Sequence, residues 1–265
     1  MDKVKPKKAL GQHFLTDEHI AARIAATIDD CPGLPVVEVG PGMGMLTKYL
    51  LDAGHDLTVV EVDSESVDYL KEAYPALDGH IVMGDFLRLD LARMAAGGRM
   101  CVIGNYPYNI SSQIFFHILD YRDSVVEIAG MLQREVAERL AAPAGTKARG
   151  ILSVLLQAWY DVEYLFTVDE HVFNPPPKVK SGVVRLRRNA VKALPCDERL
   201  FKIVVKTTFG QRRKTIRNSV KSLLGAASDI PDSPLLALRP EQLDVDRFVE
   251  LTNYVAANRE PSPRQ

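Results

Sequence analysis

Short apolar runs punctuate the first two-thirds of the chain: VVEV at 36–39, LTVVEV at 57–62, HIVM at 80–83 and MCVI at 100–103. Segments of helical character lie between them near 45–53, 64–74 and 111–119. Strands spaced by helices predict βαβ units and a mostly parallel sheet. Asp17 is the expected N-cap of an early helix over 18–28, and Ser64 that of the helix after the second strand. Further strands are expected at 125–131, 162–166 and 182–186, the last entered through the rigid PPPK of 175–178. After about residue 190 the period changes. Leu200, Ile203, Val204 and Thr207 recur at helical spacing, as do Ile216, Val220 and Leu223. Leu243, Phe248, Leu251 and Val255 do the same across 241–257. The pattern therefore predicts an α/β domain over 1–190 and a small all-helical domain over 191–265, with REPSPRQ at 259–265 as a frayed end.

Composition narrows this picture. No run of 18 apolar residues exists, so no membrane span is expected. The start, MDKVKPKKALGQHF, is basic but lacks the apolar stretch of a secretory signal. Cys31, Cys101 and Cys196 are odd in number and far apart, which fits neither a disulfide framework nor a zinc site. Idle thiols in a reducing cytoplasm are expected. The histidines form no HExxH-type pair, so no metal is expected. Net charge is −1, but it is unevenly spread. Residues 1–170 carry 15 Lys and Arg against 25 Asp and Glu, whereas 171–228 carry 14 against Asp197 and Glu198 alone. A cation block inside a near-neutral protein suggests a polyanion-binding face. The alternative is a solvated surface whose charges pair within the fold. Arg212, Arg213, Lys214, Arg217 and Lys221 are the candidate phosphate contacts, with Arg213, Arg217 and Lys221 expected on one helical face.

Chemistry concentrates where the apolar runs end. VVEVGPGMGMLT at 36–47 is a strand, a glycine turn and a helix. Gly40 and Gly42 allow tight turning and close ligand approach; the plain alternative is a turn with no ligand. Glu61, ending the next strand, can accept both ribose hydroxyls of a nucleoside. The spacing G-x-G-x-G, not G-x-G-x-x-G, and the preceding Glu38 suit a methyl donor better than a dinucleotide. Asp63 reads as a solvated helix-start carboxylate. After the third run, Asp85 can accept from an adenine amine and Phe86 can pack on its ring; the plain alternative is a helix-capping Asp.

The fourth run ends in Asn105-Tyr106-Pro107-Tyr108. An aromatic amine is a poor nucleophile because its lone pair is delocalised. The Asn105 side chain and the Pro107 carbonyl can hold its hydrogens and aim the lone pair, while Tyr108 stacks an extruded base. Catalysis is then mostly positioning.

KKALGQHFLTD at 7–17, EVGPGMGMLT at 38–47, NYPYNIS at 105–111, FNPPPKVKSGVVRL at 173–186 and QRRKTIRNS at 211–219 together resemble the ribosomal RNA adenine dimethyltransferase family, in the family's order and across nearly the whole chain. Within it the chain is similar to the bacterial small-subunit branch. The resemblance implies a Rossmann-like S-adenosylmethionine-dependent methyltransferase domain plus a helical RNA-binding domain. It implies S-adenosylmethionine as donor, and as substrate two adjacent adenosines in a hairpin loop near the 3′ end of 16S RNA, each dimethylated. The implied partner is the immature small subunit, met by a monomer in the cytoplasm. By the family's pattern His13 and Leu15 edge the cofactor pocket, Gly40 contacts the donor, Glu61 binds ribose, Asp85 binds adenine and Asn105 closes the site. Tyr108 and Phe173 would sandwich the target base. Two positions depart from the pattern. Tyr106 stands where the family usually has Leu or Ile, and His13 where some relatives have Asn. The rival readings are the large-subunit branch, a non-catalytic assembly factor and a nicotinamide oxidoreductase.

Overall fold

The computed structural model describes residues 4–7, 10–28, 32–225 and 231–259. Cys31, Ser228 and the tail from 260 lie outside these. The described elements begin with β1 (Phe14–Leu15) and α1 (Glu18–Ala25). Strands β2 (Val36–Val39), β3 (Leu57–Glu61), β4 (Ile81–Met83), β5 (Met100–Asn105) and β6 (Val125–Gln133) then alternate with α2 (Thr47–Asp52), α3 (Ser64–Ala73), α4 (Leu91–Met94) and α5 (Ser111–Asp120). After α6 (Arg134–Ala141) and α7 (Ile151–Gln157) come β7 (Tyr160–Val168), β8 (Phe173–Asn174) and β9 (Ser181–Arg188). The remainder is helical: α8 (Glu198–Gly210), α9 (Ile216–Ser219), α10 (Lys221–Leu224) and α11 (Val245–Asn258).

Seven strands form one sheet in the order β4-β3-β2-β5-β6-β9-β7. From β4 to β6 every pairing is parallel, and β9 returns antiparallel to β6. Every residue of β2, and all of β5 before Asn105, is buried, because helices cover both faces of a parallel sheet. The chain runs outward from β2 to β4, then returns to place β5 on the other side of β2. That reversal opens a crevice at the carboxyl ends of β2 and β5, where such sheets bind ligands. Separately, β1 pairs antiparallel with β8, setting Leu15 opposite Phe173. Among the described residues no helix is long and apolar enough to cross a membrane.

The chain divides into two compact units, one of residues 1–141 and 161–188, the other of 142–160 and 189–265. The two units part after residue 188, and residues 142–160 group with the residues after 188. The excursion 142–160 joins the C-terminal helices. Its α7 buries Leu152, Val154, Leu155 and Leu156, and Trp159 meets Phe201 of α8 edge-on at 6.2 Å. A helix whose leucines and valine are all buried, with Ser153 and Gln157 as its polar residues, has no solvated face to show which neighbour it serves.

Four local expectations need correction. The N-cap of α3 is Asp63, not Ser64, with its carboxylate accepting from the Glu65 N–H. The buried face of α8 is Leu200, Phe201, Val204, Val205 and Thr208, while Ile203 is exposed. Residues 213–221 are not one helix: Arg213 sits in a turn, Arg217 in α9 and Lys221 in α10. Cys101 is engaged in a disulfide, so only Cys196 is a free thiol among the described residues. Asp17 does cap α1, accepting from the Ile20 N–H at 3.0 Å.

Arg149 anchors the second unit. It is only 1% exposed and donates to the carbonyls of Leu243 (3.0 Å) and Ala142 (2.7 Å) and to Gln157 Oε1 (2.7 Å). Burial pulls its guanidinium below the usual value, and Asp244 opposes that shift. Three acceptors would lose a charged donor in Arg149→Ala. The expected loss is roughly 3 kcal/mol or more, checked by chemical denaturation; a midpoint equal to the wild type would show that these bonds are not stabilising.

Candidate active site

The register of the parallel strands sets the site. Val39 is level with Val60 on β3 and with Gly104 on β5. One residue further on, Gly40, Glu61 and Asn105 lie side by side at the strand ends. Gly40 and Gly42 adopt φ of +67° and +55°, a region that disfavours side chains. A Cβ on Gly42 would also fall 2.9 Å from the Phe14 ring, so glycine lets the N-terminal segment lie on the loop. A cavity of about 430 Å³ results, in the range of small-molecule sites. It is bordered by His13, Leu15, Gly40, Gly42, Glu61, Asp85, Phe86, Asn105, Pro107 and Tyr108, all expected from sequence. Phe173 is not among the lining residues.

Buried acids dominate one wall. Glu61 is held by three backbone donors: the N–H groups of Gly42 (3.1 Å), Val62 (2.8 Å) and Asp63 (2.9 Å). Burial pushes its carboxyl up, and those N–H groups oppose the shift. Glu38 is 1% exposed and accepts from the Thr47 hydroxyl at 2.7 Å. Burial, reinforced by the charge of Glu61 and opposed by Thr47, pushes its carboxyl up to about 8. Asp63 is not solvated, as expected, but buried. Lys7 bonds it at 2.5 Å, Gln12 at 3.3 Å and Ser66 at 3.2 Å. Burial works upward on Asp63, yet Lys7 and Gln12 bring its carboxyl below the ordinary value. Asp85 is half-exposed and caps the turn at 86–88, accepting from the Leu87 N–H at 3.0 Å. Phe86 behind it is buried, edge-on to His117.

The opposite wall is the tetrad. Asn105 Nδ2 donates to the His13 carbonyl at 3.2 Å, which leaves Oδ1 as its free acceptor. The Pro107 carbonyl accepts from the Ile110 N–H at 3.2 Å and keeps a second lone pair. Tyr108 shares a short hydrogen bond with the Ser181 hydroxyl and stacks on the His13 ring, with centroids 5.5 Å apart. His13 Nδ1 lies 2.8 Å from the Pro175 carbonyl, which can only accept, so Nδ1 carries the proton. Tyr108 thus has His13 against its ring, and Phe173 lies apart from the residues that border the cavity. Phe173 is buried in the core opposite Leu15, because pairing of β8 with β1 turns its ring inward. Sequence reasoning missed Val62, 52% exposed on the cavity rim, and the Lys7–Gln12–Asp63 clamp. A large apolar residue just past a strand-ending acid was the available signal for Val62.

The basic cluster is divided. Arg212 bonds the Lys147 carbonyl and lies 3.9 Å from Glu241, and Arg217 pairs with Asp232 at 2.6 Å. Arg213, Lys214 and Lys221 are exposed and make no ion pair among the described residues.

The state of Glu38 has a measurable consequence. Its folded-state value lies above the unfolded one, so the folded chain binds the extra proton between about pH 4.5 and 8. Its contribution to stability therefore falls as pH rises through that window. Glu38→Gln should flatten the decline, raising Tm relative to the wild type more at pH 8.5 than at pH 6. Parallel Tm–pH curves would show that Glu38 is ionised throughout.

Comparison with known proteins agrees with this geometry. The family model "Ribosomal RNA adenine dimethylase" matches residues 3–248. The Ribosomal RNA small subunit methyltransferase A of Parabacteroides distasonis is 66% identical over 94% of this chain and 93% of its own length. That of Phocaeicola vulgatus is 58% identical over 97% and 92%. Among solved structures, the 23S rRNA methyltransferase ErmE superposes with TM-score 0.64 at 27% identity, covering 92% of this chain and 99% of that one. A dimethyladenosine transferase from Plasmodium falciparum shares the fold, with TM-score 0.71 at 23% identity over 90% and 96%. The chain belongs to the ribosomal RNA adenine dimethylase family.

Proposed function

We propose that this enzyme transfers methyl groups from S-adenosylmethionine to the exocyclic amines of two adjacent adenosines, in the hairpin loop near the 3′ end of 16S RNA, within the immature small subunit. It would act as a cytoplasmic monomer. The observation that carries this reading is the tetrad at the cavity wall, with Asn105 fixed by His13 beside Gly40 and Glu61. Relatives up to 66% identical are named for the small subunit, whereas the structural match named for 23S RNA stands at 27%. Identity of that order favours the small-subunit branch.

The cavity residues suit the donor. Glu61 would accept the ribose hydroxyls, Asp85 the adenine amine, and Val62 and Phe86 would flank the adenine ring. Gly40 and Gly42 put no side chain between the turn and the methionine portion, with His13 and Leu15 along the edge. Bound there, the donor supplies an electrophilic methyl carbon on a sulfonium. Asn105 Oδ1 and the Pro107 carbonyl would accept the two N6 hydrogens, rotating the lone pair out of conjugation. The amine then attacks the methyl carbon in line; the carbon–sulfur bond breaks and its electrons stay on sulfur as a neutral thioether. The nitrogen, now carrying an extra proton, releases it to solvent, and a second transfer gives the dimethylamine. No strong base is required, so positioning carries the acceleration.

Asn105→Ala should bind donor like the wild type but lose methyl transfer on the order of 10²-fold. Tritium transfer to undermethylated small subunits measures this, and wild-type turnover would defeat the positioning mechanism. For RNA capture, the cations to remove are those with no ion pair among the described residues. Replacing Arg213, Lys214 and Lys221 with Gln should reduce the log–log salt slope by somewhat under one unit per lost phosphate contact. Replacing Arg212 and Arg217 should instead lower stability, since both already have partners in the fold. An unchanged slope in the triple variant would remove these residues from the RNA interface.

A further inference from the structure

Tyr106 borders the cavity with the rest of the tetrad, but its side chain is buried. Asn105, Pro107 and Tyr108 are half-exposed on the cavity, whereas Tyr106 between them is 1% exposed. Strand alternation sends its side chain away from its neighbours and into the sheet. Its hydroxyl donates to the Ala129 carbonyl at 2.8 Å, and its N–H donates to the Met131 carbonyl at 2.9 Å. Its ring meets Phe115 edge-on at 5.4 Å.

The space for that ring is made by two glycines. Gly104 on β5 and Gly130 on β6 are register partners. A Cβ on Gly130 would fall 2.8 Å from the Tyr106 ring and 2.1 Å from the Gly104 carbonyl oxygen. A Cβ on Gly104 would fall 2.6 Å from the Val39 carbonyl oxygen and 3.2 Å from the same ring. Either side chain would displace the aromatic ring or the strands beneath it. Tyr106 is thus held at both ends, by its backbone on Met131 and by its hydroxyl on Ala129. Rotation of the segment that presents Asn105 and Pro107 is restrained by that double hold.

We propose that Tyr106 is the positioning residue of the tetrad, its hydroxyl tether to Ala129 holding Asn105 and the Pro107 carbonyl at the angle that orients the target amine. This rests on the methyl-transfer reading above. It has a consequence for the second transfer. After one methylation the amine keeps a single hydrogen, so only one of the two acceptors can hold it. The second step then depends more heavily on the backbone being fixed.

Tyr106→Phe keeps the ring and deletes the tether. The expected result is a kcat about tenfold lower, a KM for the donor within about twofold of the wild type, and a rise in monomethyladenosine over dimethyladenosine. Nucleoside mass spectrometry reads that ratio, compared at matched total methyl incorporation. Tyr106→Leu, which carries the residue usual in the family, should likewise lower kcat and raise the monomethyladenosine share while leaving the donor KM within about twofold. Wild-type kcat and product ratio in both variants would overturn the proposal. So would a fall in kcat that tracks lost thermal stability with the product ratio unchanged, since a merely structural residue would do that. A wild-type enzyme that transfers no methyl to small subunits would instead overturn the functional reading beneath it.

Discussion

The parallel register of β2 with β3 and β5 is the constraint on which the site depends. It brings Gly40, Glu61 and Asn105, which are 21 and 44 positions apart from one another in sequence, to one level at the strand ends. A one-residue slip of β5 would send Asn105 into the sheet and Tyr106 into the cavity. The Gly104–Gly130 pair opposes that slip, because only Tyr106 in its present place fills the space above the two glycines. Packing on one face of the sheet thereby protects chemistry on the other.

The N-terminal segment is fastened by charge as well as by packing. Lys7 and Gln12 reach the buried Asp63, and Phe14 lies over Gly42. Asp63 also caps α3 and bonds Ser66. One carboxylate therefore joins three things: the segment carrying His13, the start of α3 and the backbone turn after Glu61. Its low carboxyl value follows from that set of donors. A surface Lys–Asp pair contributes little, but this acid is buried and accepts several bonds, so losing Lys7 would leave a partly uncompensated charge inside the protein.

Much of this was legible beforehand because it is local. Strand-ending acids, the glycine turn and the tetrad announce themselves through composition at fixed places relative to an apolar run. What was not legible is decided by partners far away in sequence. Phe173 reads from its own sequence more often as core than as ligand, and only β1, some 158 positions earlier, supplies the strand it pairs with and the Leu15 it lies opposite. The apolar α7 carries no mark of the unit it joins. The cations at 212–221 look alike in sequence, yet Asp232 and Glu241 claim two of them. Asp63 reads as a solvated helix-start carboxylate because nothing adjacent predicts that a lysine 56 residues earlier would cover it.

Electrostatics gives the last step, the choice of ligand class. Among the described residues bordering the cavity are Glu38, Glu61 and Asp85 but no Lys or Arg. Burial, with the neighbouring Glu61 and against the Thr47 hydrogen bond, pushes the Glu38 carboxyl upward, toward its neutral form. A dinucleotide's pyrophosphate would need free backbone N–H groups at the glycine turn, yet those of Gly40 and Gly42 already donate to Val60 and Glu61. A sulfonium carrying an ammonium group would bring positive charge instead. It would offset the charge of Glu61 and so draw Glu38 toward its ionised form. The wall that disfavours a nicotinamide cofactor is thus the wall that suits the proposed methyl donor.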